Sequence, residues 1–213
     1  MGISLNAMKI HWQKTVGGVV GYSRLGRDYW RSLANHIFNP NTEAQQNQRA
    51  KIRTLSKFMT GLSAVWRYGY RWQKGLGRSA HTCMFMQIYD DALTGDHQQG
   101  FTIDYSKILV SKGNLTQPYN IMASFAPATH SATISWTDNT GVGNALATDR
   151  VSALIYNVSK QCSTLYNNIA TRADETADVT YPSEWSGDTT YLYLFLDNRQ
   201  ETTNSKAIGP YSA

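Results

Sequence analysis

Thirteen of the twenty Lys and Arg residues in this chain fall within its first eighty positions, and their spacing is the pattern best suited to chemistry. Arg49, Arg53 and Lys57 stand four apart, which on a helix makes a single basic row. Such a row can face phosphates, or it can be a solvated face whose alkyl stems pack weakly. Further on, Trp66, Arg67, Tyr68, Tyr70, Arg71, Trp72 and Lys74 interleave rings with cations. Single-strand nucleic-acid platforms have this composition, because bases stack on the rings while the cations follow the backbone. Subunit interfaces and cores share it, since Tyr, Trp and Arg anchor protein contacts. The residues leave both readings open, and these ten positions form the candidate nucleic-acid or subunit interface.

Catalysis needs converging groups, and the sequence offers few. His11, His36, His81, His97 and His130 are scattered, with no two at helical ligand spacing, and no HExxH, CxxC or GxSxG string occurs. The chain is therefore expected to be non-enzymatic, with no catalytic residue, no metal and no cofactor. Cys83 and Cys162 lack a local thiol signature and are expected to be reduced. Asp90-Asp91 and Asp174-Glu175 are adjacent acids, expected to be solvated because neighbours in a strand point to opposite faces. The one dense group of small oxygen ligands is Asp138, Asn139, Asn144 and Asp149, within WTDNTGVGNALATD. It has the donors a hard cation uses but not the EF-hand spacing, so a cation site and an inter-strand turn both fit.

Composition bounds the remaining choices. The 213 residues are 41% hydrophobic and 16% charged, with 25 aromatics, which excludes disorder, collagen and coiled coil and allows a sizeable core. No run approaches the ~18 apolar residues of a membrane span. Residues 1–20 have no apolar stretch of secretory type, so the expectation is synthesis in a cytoplasm without a signal peptide. A virion or an extracellular assembly remains open as the destination. The net charge of +5 hides a division. Residues 1–80 set thirteen bases against Asp28 and Glu43, giving +11, while residues 81–213 set seven bases against thirteen acids, giving −6. Opposite halves suggest that the basic one docks on a polyanion or on the acidic half of a neighbouring copy.

The elements that would position these groups follow from periodicity and punctuation. Gly17, Gly18, Gly21 and Gly26 break VGGVVGYSRLGRDYWRSL into a pair of short strands. Asn39-Pro40-Asn41 marks a boundary, after which Thr42 and Gln45 have capping-box spacing and Ile52, Leu55, Phe58 or Met59 and Leu62 form a helical stripe. MFMQIYDDAL suits either a helix or a strand. Beyond residue 100, FTIDYSKILVSKG, NIMASFA, ATISWTD, DRVSALIYNV, ADVTYP and DTTYLYLFLDN read as six or seven short strands. The expected fold is mainly β: a C-terminal immunoglobulin-like antiparallel β-sandwich over 81–213, with Trp136 as a core pin. A basic N-terminal region over 1–80, with a β-hairpin and one amphipathic helix, precedes it.

The blocks VGGVVGYSRLGRDYWRSL, NPNTEAQQNQRAKI, SKFM, IDYSKILVSKGNL, SWTDNTGVGNA and WSGDTTYLYLFL together resemble an uncharacterised family of proteins of about this length. That family occurs in Bacteroidetes and their mobile elements, including phages, and the likeness spans nearly the whole chain. Gln13-Lys14-Thr15 departs from the Ser-Gly-Lys-like step expected there. The resemblance implies no activity and no catalytic residue. The Asn-Pro-x-Thr-x-x-Gln-Gln block is also similar, by analogy, to phage virion and assembly proteins. Three functions are thus expected in order: a self-assembling homo-oligomeric structural protein of a phage-like particle or filament; a nucleic-acid-binding protein using the basic aromatic half; and a carbohydrate- or surface-binding sandwich led by Trp136 or Trp185.

Overall fold

The computed structural model describes residues 2–3, 15–24, 26–35, 39–73, 78–198 and 200–212. It divides into two compact units, Met1–Thr42 and Glu43–Ala213. The change of charge at residue 80 is therefore not the boundary of the fold, because the basic helical segment after Thr42 shares a core with the acidic strands.

In the first unit, β1 (Gly2–Ile3), β2 (Thr15–Val16), β3 (Val19–Arg24) and β4 (Arg27–Ser32) form one antiparallel sheet in the order β1-β4-β3-β2. β3 and β4 are the hairpin that the glycine punctuation predicts. Gly26 sits at its turn and Gly17 at the turn between β2 and β3, with φ of 75° and 58°, a region open to glycine without steric cost. Tyr22 and Tyr29 face each other across the ladder and stack at 5.5 Å.

The second unit opens with three helices rather than one: α1 (Glu43–Thr60), α2 (Ser63–Gly69) and α3 (Ala80–Asp91). In α1 the periodic residues Leu55, Phe58 and Met59 are buried, as is Leu62 just beyond it, whereas Ile52 stays exposed. MFMQIYDDAL lies mostly in α3, whose first turn is capped by the Ser79 hydroxyl accepting from the Thr82 amide. The segment AVWRYGYRW becomes α2 and the turn after it. α2 closes on Gly69, where a Cβ would stand 2.1 Å from the Val110 carbonyl oxygen, so only glycine allows that approach.

A short hairpin, β5 (Leu93–Asp96) and β6 (Gly100–Ile103), leads into seven further strands: β7 (Tyr119–Ala126), β8 (Ser131–Thr137), β9 (Arg150–Asn157), β10 (Cys162–Thr171), β11 (Thr176–Thr180), β12 (Thr189–Asp197) and β13 (Lys206–Ser212). They make two antiparallel sheets, ordered β10-β9-β12-β13 and β11-β8-β7. This is an immunoglobulin-like sandwich. It differs from the constant-domain arrangement in that the fourth strand stays beside the third instead of joining the first sheet.

The four-stranded sheet is covered on both faces. Val151, Ala153, Ile155, Leu192, Leu194 and Leu196 pack against Ile134, Trp136 and Val179 of the other sheet. Their alternates Leu154, Tyr156, Tyr193 and Phe195 pack against Leu55, Phe58, Met59, Met84 and Ile88 of the helices. A strand buried on both sides reads as a near-continuous apolar run, which is why β9 and β12 are written SALIY and YLYLFL.

The predicted pin Trp136 is buried, and its indole N–H donates to the Arg172 carbonyl at 2.8 Å. Arg172, wholly buried, donates through Nε and Nη2 to Asp149 Oδ2 at 3.1 and 2.9 Å and through Nη1 to Asn139 Oδ1 at 2.5 Å. The oxygen-rich turn therefore gathers around a guanidinium. Asp138 instead caps its own turn at Thr140, and Asn144 accepts from Thr116. Among the described residues no three His, Cys, Asp or Glu side chains converge as a metal site.

Replacing Arg172 with Met leaves Asp149 buried without its cation and is expected to cost about 3–5 kcal/mol in urea unfolding. Burial also raises the phenol pKa values of Tyr70, Tyr156 and Tyr193 above the ordinary 10.0. The folded chain thus keeps protons that an unfolded chain releases, so the stability they contribute is complete below pH 10.0 and is lost as pH climbs beyond it. In an alkaline titration, phenolate absorbance from these residues should appear together with the loss of circular dichroism, not before it.

Candidate functional site

The ten positions singled out by type and spacing separate into three environments. Arg49, Arg53 and Lys57 occupy exposed positions on α1, as a basic row requires. Around α2 the alternation of rings and cations is resolved by the core. Tyr70 is buried and its hydroxyl donates to the Leu109 carbonyl at 2.9 Å, so it is a packing residue and not a face for bases or subunits. Trp66 packs edge-on against His81 at 5.4 Å beneath the Arg67 guanidinium, and Arg67 itself is exposed. Trp72 is exposed, with the Arg71 guanidinium over its ring. Lys74 lies outside the described residues.

Tyr68 and Arg71 turn inward to a carboxylate at the end of β12. Asp197 is fully buried; its Oδ1 accepts from the Tyr68 hydroxyl at 2.5 Å, and its Oδ2 accepts from Arg71 at 2.6 Å and Arg150 at 3.1 Å. Burial first, and then the bond to Asp197, raises the Tyr68 phenol pKa above its usual value. A buried carboxylate persists only when paired, and here two guanidinium groups and a phenol supply the pairing. Asp197 drew no attention in the sequence because a lone acid at a strand end looks like any other. The signal available was the long apolar run before it, which implies that the run's last residue is deep.

A second convergence involves residues the sequence could not have brought together. Arg53, Thr54, Lys57 and Phe58 of α1 face β6 residues Phe101, Thr102 and Ile103 across a cleft of about 470 Å³. Tyr105, Tyr156 and Gln161 also line it. Phe58 meets Tyr156 at 5.2 Å and Tyr105 at 6.0 Å, and Tyr105 stacks on Tyr156 at 5.6 Å, so the aromatic wall is fixed by ring-to-ring packing. The Lys51 ammonium lies 5.7 Å from the centre of the Phe101 ring, holding the opposite side. Arg53 and Lys57 form no ion pair among the described residues, so the mouth of the cleft carries two uncompensated positive charges.

Residues 10–209 match a family model described as a family of unknown function, DUF6266. None of the curated proteins matches the chain. Among solved structures, a crystal structure of titin domains aligns with 48% of this chain at 8% identity and a TM-score of 0.34, and the chain covers 33% of that protein's length. A computationally redesigned β-sandwich protein aligns with 47% of this chain at 13% identity and a TM-score of 0.32, with 96% of its own length covered. No helix among the described residues is long and apolar enough to cross a membrane.

Asp197→Ala is expected to destabilise the chain by about 3 kcal/mol, because it strands two guanidinium groups. Arg67→Ala, a neighbouring change on an exposed cation, should stay within about 0.5 kcal/mol. Urea unfolding followed by fluorescence checks both.

Proposed function

We propose that this chain, which belongs to the DUF6266 family of unknown function, is a non-enzymatic structural protein that assembles with copies of itself through its N-terminal sheet. The observation that carries the reading is that the described residues of this sheet form no interior. No residue of 17–24, 26–35 or 39–42 is buried, while Val19, Trp30 and Leu33 expose 48%, 45% and 48% of their surface. Strands without a packed face are marginal in water.

Among the described residues β1 pairs with Tyr29 and Trp30 and β2 with Val19 and Val20, so the outer strands of this sheet are only two residues long. An uncovered sheet edge is a template for another chain. Paired about a two-fold axis, two such sheets close a dimer; paired head to tail, they give the ring or filament of a phage-like particle.

Opposite charge contributes less than the sequence suggests. Met1–Thr42 carries five bases against Asp28, or +4, but Glu43–Ala213 holds fifteen bases and fourteen acids, or +1, and offers the sheet little net attraction. One feature favours the second reading, nucleic-acid binding. Arg24 and Arg27 stand directly opposite each other in the hairpin, a like-charge pair that a strand of phosphates would relieve.

Sedimentation of the full chain should give a multiple of 23.9 kDa that persists from low to molar salt, and Val19→Ser with Trp30→Ser should reduce it to monomer. A monomer throughout defeats the proposal. Material with a nucleic-acid absorbance ratio, whose affinity falls with salt at a log–log slope of about −0.7 per phosphate, would transfer it to the second reading.

A further inference from the structure

The cleft between α1 and β6 has a chemical identity of its own, independent of how the N-terminal sheet associates. Its volume, about 470 Å³, falls in the range of small-molecule sites. Its wall is aromatic, built from Phe58, Phe101, Tyr105 and Tyr156. Arg53 and Lys57 stand one helical turn apart at its mouth.

Two hydroxyls add donors to this wall. Neither Tyr156 nor Tyr105 makes a side-chain hydrogen bond among the described residues, and neither hydroxyl is sealed from solvent, so both are free to bond a molecule in the cleft that they line. Thr54, Thr102 and Gln161 add further polar capacity around the same space.

We propose that this cleft binds a planar aromatic monophosphate of nucleotide size. The ring would lie against the aromatic wall, where π-faces accept any flat heterocycle. The phosphate would sit at the mouth between Arg53 and Lys57, the guanidinium offering a forked pair of donors and the ammonium a point charge. The Tyr156 hydroxyl would donate to a polar edge of the ring. Free nucleotide and one unit of a single strand share this chemistry, and chain length separates them.

Isothermal titration of the full-length protein with AMP, adenosine, inorganic phosphate and a ten-residue deoxyadenylate tests the assignment. AMP should bind at least tenfold more tightly than adenosine or phosphate, since neither fragment fills both parts of the site. Arg53→Gln with Lys57→Gln should remove that preference. Tyr156→Phe, which keeps the ring, should weaken AMP about fivefold. Lys206→Gln, an exposed cation on β13 outside the cleft, should bind as the parent does. Thermal melts establish that each variant is folded.

A free-nucleotide site predicts that the oligonucleotide binds no better per site than AMP. A strand-unit site predicts tighter binding of the oligonucleotide that is still lost in the Arg53 and Lys57 variant. AMP binding no better than phosphate, or unaffected by the Arg53 and Lys57 changes, overturns the proposal. So does an absence of heat with every probe.

Discussion

The central four-stranded sheet must be buried on both faces, and most of the second unit follows from that requirement. β9 and β12 present one set of side chains to the partner sheet and the alternate set to the helices. A bare immunoglobulin-like sandwich leaves the outer faces of its sheets to water; here the outer face holds Leu154, Tyr156, Tyr193 and Phe195, which water would solvate poorly. The three helices are the cover. Where the cover ends, Phe58 and Tyr156 are left as the wall of an open cleft, so the candidate binding site is the seam between the helical layer and the sandwich.

The same layering recasts the charge division. The segment 43–80 is strongly basic and 81–213 is acidic, yet they belong to one compact unit and nearly cancel within it. Arg71 from the turn after α2, paired with Asp197 on β12, is that cancellation at atomic scale. Beyond that pair the cancellation is one of net charge over the unit: Arg53, Lys57 and Arg67 make no ion pair among the described residues.

The hairpin at 19–32, the long helix, five strands of the sandwich and the Trp136 pin were all legible, because each is written in local periodicity or punctuation. FTIDYSKILVSKG, read as one strand, is strand only over β6, and two strands of the sandwich were missed. β10 is interrupted by a bulge, with Asn168 at φ 54°, that breaks its alternation, and β13 carries Gly209-Pro210, which an edge strand tolerates but a sequence reader takes for a turn. The helical cover was hinted at by the unbroken apolar runs of β9 and β12, which imply a second burial face, yet nothing in those runs says what fills it. Of the ten site positions, Arg53 and Lys57 reach the cleft, while Tyr68, Tyr70 and Arg71 serve packing. Interleaved rings and cations look alike in both roles until their partners, such as Asp197 and Leu109, are known. Phe101, Tyr105, Tyr156 and Gln161 come from distant segments, and no spacing rule could have joined them to α1.

The order of synthesis bears on the two-faced sheet. β9 and β12 pair across some forty residues, a fairly local step, but the cover must reach them from about a hundred residues upstream, and contacts of that separation form slowly. A sandwich made first and covered later would expose a sticky aromatic face in the interval, the condition under which large chains aggregate. Placing the helices ahead of the strands avoids this on the ribosome: the lid has been translated, and can already coil, before the surface it closes emerges.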